Sequence, residues 1–261
     1  MQRSNIEKIA QTQEDRMLLA KVWDKMHTGI TRGIPAHTGF LSPRELEMTR
    51  FLFGEPDGLC SFGGFEDAER RMLCYLPEYL DESSLYDIDS PVTCLRATFY
   101  EGDTPTHRDF LGGLMGIGVA RETVGDICVG KGYCDFFVTR EISPYLLQNF
   151  TGAGRTKFRL EAIALSEASI PQPEVKVISD TVASMRLDGI VSSGFRISRT
   201  LAAQAIAAGK VAIDGLPCEK SDKAVTEGCK ISLRGSGKIK LVKVNGQTKK
   251  GRISVVIHRY L

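Results

Sequence analysis

The stretch from Arg186 to Gly215 constrains this chain more than any other. Leu187, Ile190 and Val191 are spaced to line one face of a short helix, and Gly194 is expected to end it at a positive φ. Ser198 is suited to cap a second helix, in which Leu201, Ala202, Ala205 and Ile206 form a narrow apolar stripe before Gly209. Val211 and Ile213 then alternate as a strand, and Asp214-Gly215 predicts a type I′ hairpin turn. Arg186, Arg196 and Arg199 share the neighbourhood of two helix starts, where phosphate oxygens are readily held. Any one of them reads as an ordinary surface arginine; three in this frame favour RNA.

Charge is distributed to match. From Arg186 to Leu261 there are 15 Lys and Arg against 5 Asp and Glu, a formal +10, whereas the whole chain is only +2. Residues 1 to 185 therefore carry −8. A basic tail on an acidic body is expected when one module neutralises the phosphates of a polyanion.

At 261 residues and 42% hydrophobic content, the chain has room for two or three small domains with real cores. The N-terminus lacks a long apolar run, so no signal peptide is expected, and nothing approaches the roughly 18 apolar residues of a membrane span. Seven irregularly spaced cysteines fit a reducing, cytoplasmic setting. There is no Cys-x-x-Cys; Cys128 and Cys134 lie across a predicted hairpin, and His27, His37, His107 and His258 are scattered. Buried thiols, with no metal and no cofactor, are the expectation.

The body divides at the level of pattern. Residues 1–90 form an N-terminal region: a helix over 5–27 carrying Ile6, Ile9, Ala10, Met17, Ala20 and Val22, then a capping box at Ser42-Pro43-Arg44-Glu45. That box opens a helix with Leu46, Met48, Phe51 and Leu52, closed by Gly54, and short strands follow near 59–62 and 71–75. Residues 91–170 read as strand (92–99), helix capped by Thr106, hairpin about Gly130-Lys131-Gly132, helix (142–150) and strand (156–163). In the last strand Phe158, Leu160 and Ala162 alternate against charges. This βαββαβ order predicts a ferredoxin-like domain, a plan shared by many RNA-recognition domains and by many others. Residues 171–184, with Pro171 and Pro173, are expected to be a linker, and 185–261 the C-terminal domain, in an α+β fold overall.

Several motifs are not what they resemble. His107-Arg108-Asp109 matches a kinase catalytic loop, but Leu114 stands where that loop needs Asn and no ATP-binding glycine loop is present. Asp109 is better read as the third residue of the helix capped by Thr106. Gly112-Gly113 and Gly116-x-Gly118 lack the rest of a dinucleotide fingerprint. His27-Thr28-Gly29 and His37-Thr38-Gly39 do not make a repeat, and no Ser–His–Asp or Cys–His set can be assembled.

The 186–215 segment resembles the S4 RNA-binding domain. Over nearly the whole chain, Phe40-Leu41-Ser42-Pro43-Arg44-Glu45, His107-Arg108-Asp109-Phe110-Leu111-Gly112, Gly125-Asp126-Ile127, Val182 to Asp188 and Ser193 to Arg199 occur in the order that resembles YlmH-type proteins. The resemblance implies an N-terminal region, an RNA-binding middle domain and a C-terminal S4 domain. It also implies a role in bacterial ribosome-associated quality control, on a large subunit holding peptidyl-tRNA. Members are encoded near cell-division genes. Two departures stand out: Asp214 where S4 domains often carry Asn, and Ala203 where many have a basic or polar residue.

The RNA-binding set is therefore Arg186, Asp188, Ser193, Arg196, Ser198, Arg199 and Lys210. Arg186, Arg196, Arg199 and Lys210 would clamp phosphates, while helix N-terminal amides and Ser198 set register. Secondary candidates are Lys238, Lys240, Lys249 and Lys250, about a predicted Asn245-Gly246 turn, together with His107 and Arg108. Those lysines serve equally well as protection for a solvated edge hairpin. The expected partners are structured rRNA, with tRNA a second candidate, and the large ribosomal subunit; a monomer and no membrane contact are expected. Two alternatives stay open. One is an RNA-modifying enzyme of pseudouridine synthase or methyltransferase type, since Arg186-Leu187-Asp188 superficially resembles a synthase motif. The other is a division-related protein adaptor.

Overall fold

The computed structural model describes residues 3–54, 56–87, 90–172, 174–248 and 251–260. The chain forms two compact units, Met1–Pro171 and Gln172–Leu261.

The first unit opens with α1 (Ile6–Ile9) and α2 (Gln13–Arg32). The single helix expected over 5–27 is broken because Thr12 caps α2: its hydroxyl accepts from the Asp15 amide, and the Asp15 carboxylate accepts from the Thr12 amide. The same carboxylate accepts from Arg44 Nη1 and Nη2 at 2.7 and 2.8 Å. Those bonds hold the Asp15 pKa well below the usual carboxylate range, against the opposing effect of burial. After β1 (Ala36–His37), α3 (Pro43–Phe53) starts at the expected capping box, with the Ser42 hydroxyl accepting from the Glu45 amide. Strands β2 (Leu59–Phe62) and β3 (Met72–Tyr75) complete an antiparallel sheet ordered β1-β3-β2. Met17 and Phe51, counted in the expected apolar faces, are 66% and 63% exposed. The buried faces are Leu19, Val22, Trp23 and Met26 on α2, and Leu46, Met48, Leu52 and Phe53 on α3.

The unit continues with β4 (Val92–Thr98), α4 (His107–Gly116), β5 (Val124–Val129), β6 (Tyr133–Thr139) and α5 (Ser143–Asn149). It closes with β7 (Gly152–Ala153), β8 (Thr156–Lys157) and β9 (Arg159–Ile163). The sheet order β5-β6-β4-β9, antiparallel throughout, is compatible with the ferredoxin-like plan. Leu95, Ala97, Phe136 and Val138 pack under Phe110, Leu114, Leu146 and Phe150 of the two helices and the segment after them. The strand expected over 156–163 is split: β8 turns back on β7, and only β9 joins the sheet. β9 is an edge strand, which leaves Ala162 exposed despite the alternation. No boundary falls near residue 90. Val92, Cys94 and Phe137, on the sheet face away from α4 and α5, share one core with Phe40, Phe62, Met72, Cys74, Leu76 and Leu85.

The second unit consists of β10 (Val175–Val182), α6 (Leu187–Phe195), α7 (Arg199–Ala207), β11 (Val211–Ile213), β12 (Leu216–Pro217), β13 (Lys230–Leu233), β14 (Gly237–Gln247) and β15 (Ile253–Tyr260). Its antiparallel sheet runs β10-β15-β14-β13-β11-β12. The stretch 171–184 is thus not a linker throughout, since β10 pairs with β15 along its length and buries Ile178 and Val182. Leu187, Ile190, Val191, Ala202 and Ile206 pack on Ile231, Ile239, Leu241, Val255 and Ile257. Asp214 and Gly215 both have positive φ, 48° and 85°, between the paired Ile213 and Leu216, as a type I′ turn requires.

Three local expectations are corrected. Gly194 does not end α6 at positive φ; Arg196 takes that conformation, with φ 56°. Gly194 lies within the helix, and a Cβ there would sit 2.4 Å from Ile239 Cδ1, so glycine permits close packing on β14. Leu201 is 54% exposed and does not belong to the buried stripe. Asn245-Gly246 is not a turn: β14 runs through it with an irregularity between Val244 and Gln247, and beyond it the Thr248 amide donates to the Arg252 carbonyl.

Candidate nucleic-acid interface

The second unit gathers Arg186 and Arg199 around one buried carboxylate. Arg186 occupies the N-cap position of α6, Asp188 lies in its first turn, and Arg199 is the first residue of α7. Arg199 donates Nε and Nη2 to the two Asp188 oxygens at 3.1 and 3.2 Å, and Arg186 donates to the same pair at 3.4 Å. Asp188 is only 5% exposed. Burial alone would raise its pKa, but the hydrogen bonds and charges of Arg199 and Arg186 outweigh it and the net shift is downward. Asp188 thus orients two half-exposed guanidiniums.

The N-terminus of α6 is not an open anion site. Its Leu187 and Asp188 amides donate to Lys223 and Ser221 carbonyls at 2.9 and 3.0 Å, and the Gly189 amide donates to Asp188 Oδ1. No local pattern marks residues 221–225 for this role; their contact with α6 is long-range. Ser198 caps α7 as expected, accepting from the Leu201 amide at 3.2 Å.

Arg196 and Arg199 rim an open, mostly polar groove between β10 and α6, which Ser192, Ser193 and Arg252 also line. Its one acidic residue, Asp180, accepts from the Ser193 hydroxyl at 2.6 Å and from the Thr181 amide at 2.7 Å. Ser193 therefore holds the groove wall. Arg252 donates to the Thr181 hydroxyl and carbonyl. Its place beside β10 comes from strand pairing, since Val182 stands opposite the next residue, Ile253.

Lys210, Lys238 and Lys240 are not brought to this cluster. Lys210 follows the opposite end of α7, about 13 Å along a nine-residue helix from Arg199. Lys238 and Lys240 alternate with the fully buried Ile239 and Leu241, so they lie on the sheet face away from α6 and α7. Lys249 and Lys250 lie outside the described residues. His107 and Arg108 stand in the first unit, at the start of α4. Partial burial and the neighbouring Arg121 lower the His107 pKa. Asp109 closes a capping box with Thr106, its carboxylate accepting from the Thr106 amide at 2.8 Å, which confirms the structural reading of that triplet.

In many RNA-recognition domains the open face of a four-stranded sheet stacks unpaired bases on aromatic side chains. That route is closed here. Phe137 packs on Phe65 and lies in the core shared with the N-terminal region. Beside it, Arg96 makes two bonds of 2.7 and 2.6 Å to the fully buried Asp135, and also reaches the Glu167 carbonyl and the Ser169 hydroxyl. That pair fastens the chain leaving β9 across the sheet.

Comparison with known proteins bears on both units. Residues 101–167 match the family model described as "Putative RNA-binding domain in YlmH", and residues 185–230 match the S4 domain. The ribosome-associated protein quality control protein P2 of Bacillus subtilis (strain 168) is 34% identical over 224 residues, spanning 85% of this chain and 86% of that protein. The chain belongs to the YlmH-type family. A solved structure titled cell division protein ylmH from Streptococcus pneumoniae shares the fold, with a TM-score of 0.51 and 20% identity over 62% of this chain and 98% of that one. RNA binding is accordingly the role that the matched domains support. The S4 match ends at residue 230, so β10, β14 and β15 of this YlmH-type chain lie outside it.

Proposed function

We propose that this chain is a non-catalytic, cytoplasmic RNA-binding adaptor that engages structured rRNA on the large ribosomal subunit, with peptidyl-tRNA in place, during ribosome-associated quality control. The observation that carries the reading is the Arg186–Asp188–Arg199 arrangement, in which one buried carboxylate holds two guanidiniums in fixed orientation. Pre-oriented arginines suit phosphate oxygens better than free ones, because less side-chain freedom is lost on contact. The name of the Bacillus subtilis relative supports the ribosomal setting.

The same arrangement favours a binder over a modifying enzyme. A catalytic aspartate in the Arg186-Leu187-Asp188 triplet would need a free oxygen facing substrate, whereas both Asp188 oxygens accept from arginine. Exchange of Arg186 and Arg199 for alanine should weaken co-sedimentation with large subunits and lower the dependence of log K on log salt by about one per removed phosphate contact. Unchanged co-sedimentation across a salt series would overturn the reading. Mass analysis of RNA incubated with the protein and S-adenosylmethionine checks the non-catalytic part, with unmodified RNA expected.

A further inference from the structure

Cys60 of β2 stands directly opposite Cys74 of β3. Two residues before Cys60, the Gly58 carbonyl accepts from the Leu76 amide at 2.8 Å. By the alternation of an antiparallel ladder, Cys60 and Cys74 are then a hydrogen-bonded pair, with Cα atoms about 5.5 Å apart. That lies within the range of about 4.4–6.8 Å that a disulfide spans. Directly opposite residues of a ladder project to the same face, so the two side chains are neighbours. Cys60 is half-buried and lines surface grooves formed by Asp57–Leu59, Tyr75–Glu78 and the α3–β2 connection, whereas Cys74 is 1% exposed.

We propose that Cys60 and Cys74 are a peroxide-reactive pair that closes reversibly to a disulfide between β2 and β3. Cys60 is the attacking thiol, because it meets solvent; Cys74 is the resolving thiol, because it is buried directly opposite Cys60 in the ladder. The Cys60 thiolate attacks one oxygen of hydrogen peroxide, the O–O bond breaks, and the departing hydroxide takes up a proton to leave as water. Cys60 is then a sulfenic acid. The Cys74 sulfur attacks the Cys60 sulfur, and the sulfenic hydroxyl leaves with the Cys74 thiol proton as a second water. Two thiols are oxidised and one peroxide is reduced.

The electrostatics separate this pair from buried thiols elsewhere in the unit. The neighbouring Cys74 thiol lowers the Cys60 pKa, outweighing burial and nearby Glu82, and the Cys60 thiol together with burial raises that of Cys74. Burial pushes the thiols of Cys94 and Cys134 up strongly and that of Cys128 to about 12. Low thiol pKa, solvent access and an adjacent resolving sulfur are the traits of reactive cysteines.

The test is peroxide titration of the full chain, followed by alkylation and peptide mapping by mass spectrometry. A Cys60–Cys74 linked peptide should accumulate before Cys94, Cys128, Cys134, Cys218 or Cys229 loses label, and should vanish on reduction with dithiothreitol. In Cys74→Ser, dimedone should capture Cys60 as its sulfenic acid; in Cys60→Ser, Cys74 should stay reduced at the same peroxide dose. Earlier loss of label at another cysteine, or wild-type Cys60 passing to sulfinic acid without a linked peptide, would overturn the proposal. If either variant fails to fold, the order of loss in the wild-type chain decides.

Discussion

Asp188 shows how one side chain sets the electrostatics of the interface. Its lowered pKa means that it stabilises the folded chain above the ordinary carboxylate pKa of about 3.9, and that this contribution is lost as pH falls through the depressed folded value. Asp188→Asn should cost about 1–2 kcal/mol near neutral pH, a modest figure because both guanidiniums are half exposed. Chemical denaturation from pH 7 into acid should show the difference between wild type and variant shrinking below about pH 4. RNA affinity should drop several-fold in the variant, since Arg186 and Arg199 lose their shared anchor. Arg196 makes a different test. A non-glycine residue at φ 56° is strained by about 1 kcal/mol, and glycine would relieve that. Arg196→Gly should therefore keep or slightly raise thermal stability while weakening RNA binding; unaltered binding would remove Arg196 from the interface.

Among the elements, α6 depends on Gly194 for its approach to β14. Gly194→Ala would drive a methyl group into Ile239 Cδ1, in a core position with no exposure, and should cost about 1–3 kcal/mol in urea unfolding. Adding Ile239→Val removes the clashing carbon and should restore part of the loss, whereas purely additive losses would show that the contact is not the cause. The same element carries the anchor for both arginines, so its packing on the sheet is what turns two separate surface charges into one oriented group. At α4 and α7 the capping residues Thr106 and Ser198 were legible because a cap is a local bond over three residues. Asn245-Gly246 misled for the converse reason. It has turn chemistry, but the pairing of β14 with β15, from Val244 opposite Val255 to Gln247 opposite Ile253, extends the strand through it.

For the whole molecule, charge asymmetry coincides with the division into units near residue 172. Limited proteolysis close to Gln172 should release a basic C-terminal fragment that keeps salt-dependent RNA binding, and an acidic N-terminal fragment without that steep salt dependence. RNA binding that stays with the N-terminal fragment at full salt slope would place the interface elsewhere. The closed sheet face of the first unit points the same way, since Phe137, Cys94 and the Arg96–Asp135 pair are committed to the protein's own core.

Periodicity, caps and turn chemistry, all properties of a few consecutive residues, were enough to read α3, α4, α6, α7, the β5–β6 hairpin and the Asp214-Gly215 turn from the sequence by itself. The three arginines and the basic C-terminal third were legible for the same reason. Tertiary structure decided what depends on distant partners. It assigned Asp188 to the arginines, and it spent the α6 amides on residues 221 and 223. It put Lys238 and Lys240 on the far face of a sheet, made β10 part of that sheet, and set Cys60 against Cys74. Each of these follows from strand register or from packing between segments far apart in the chain, which no local pattern encodes.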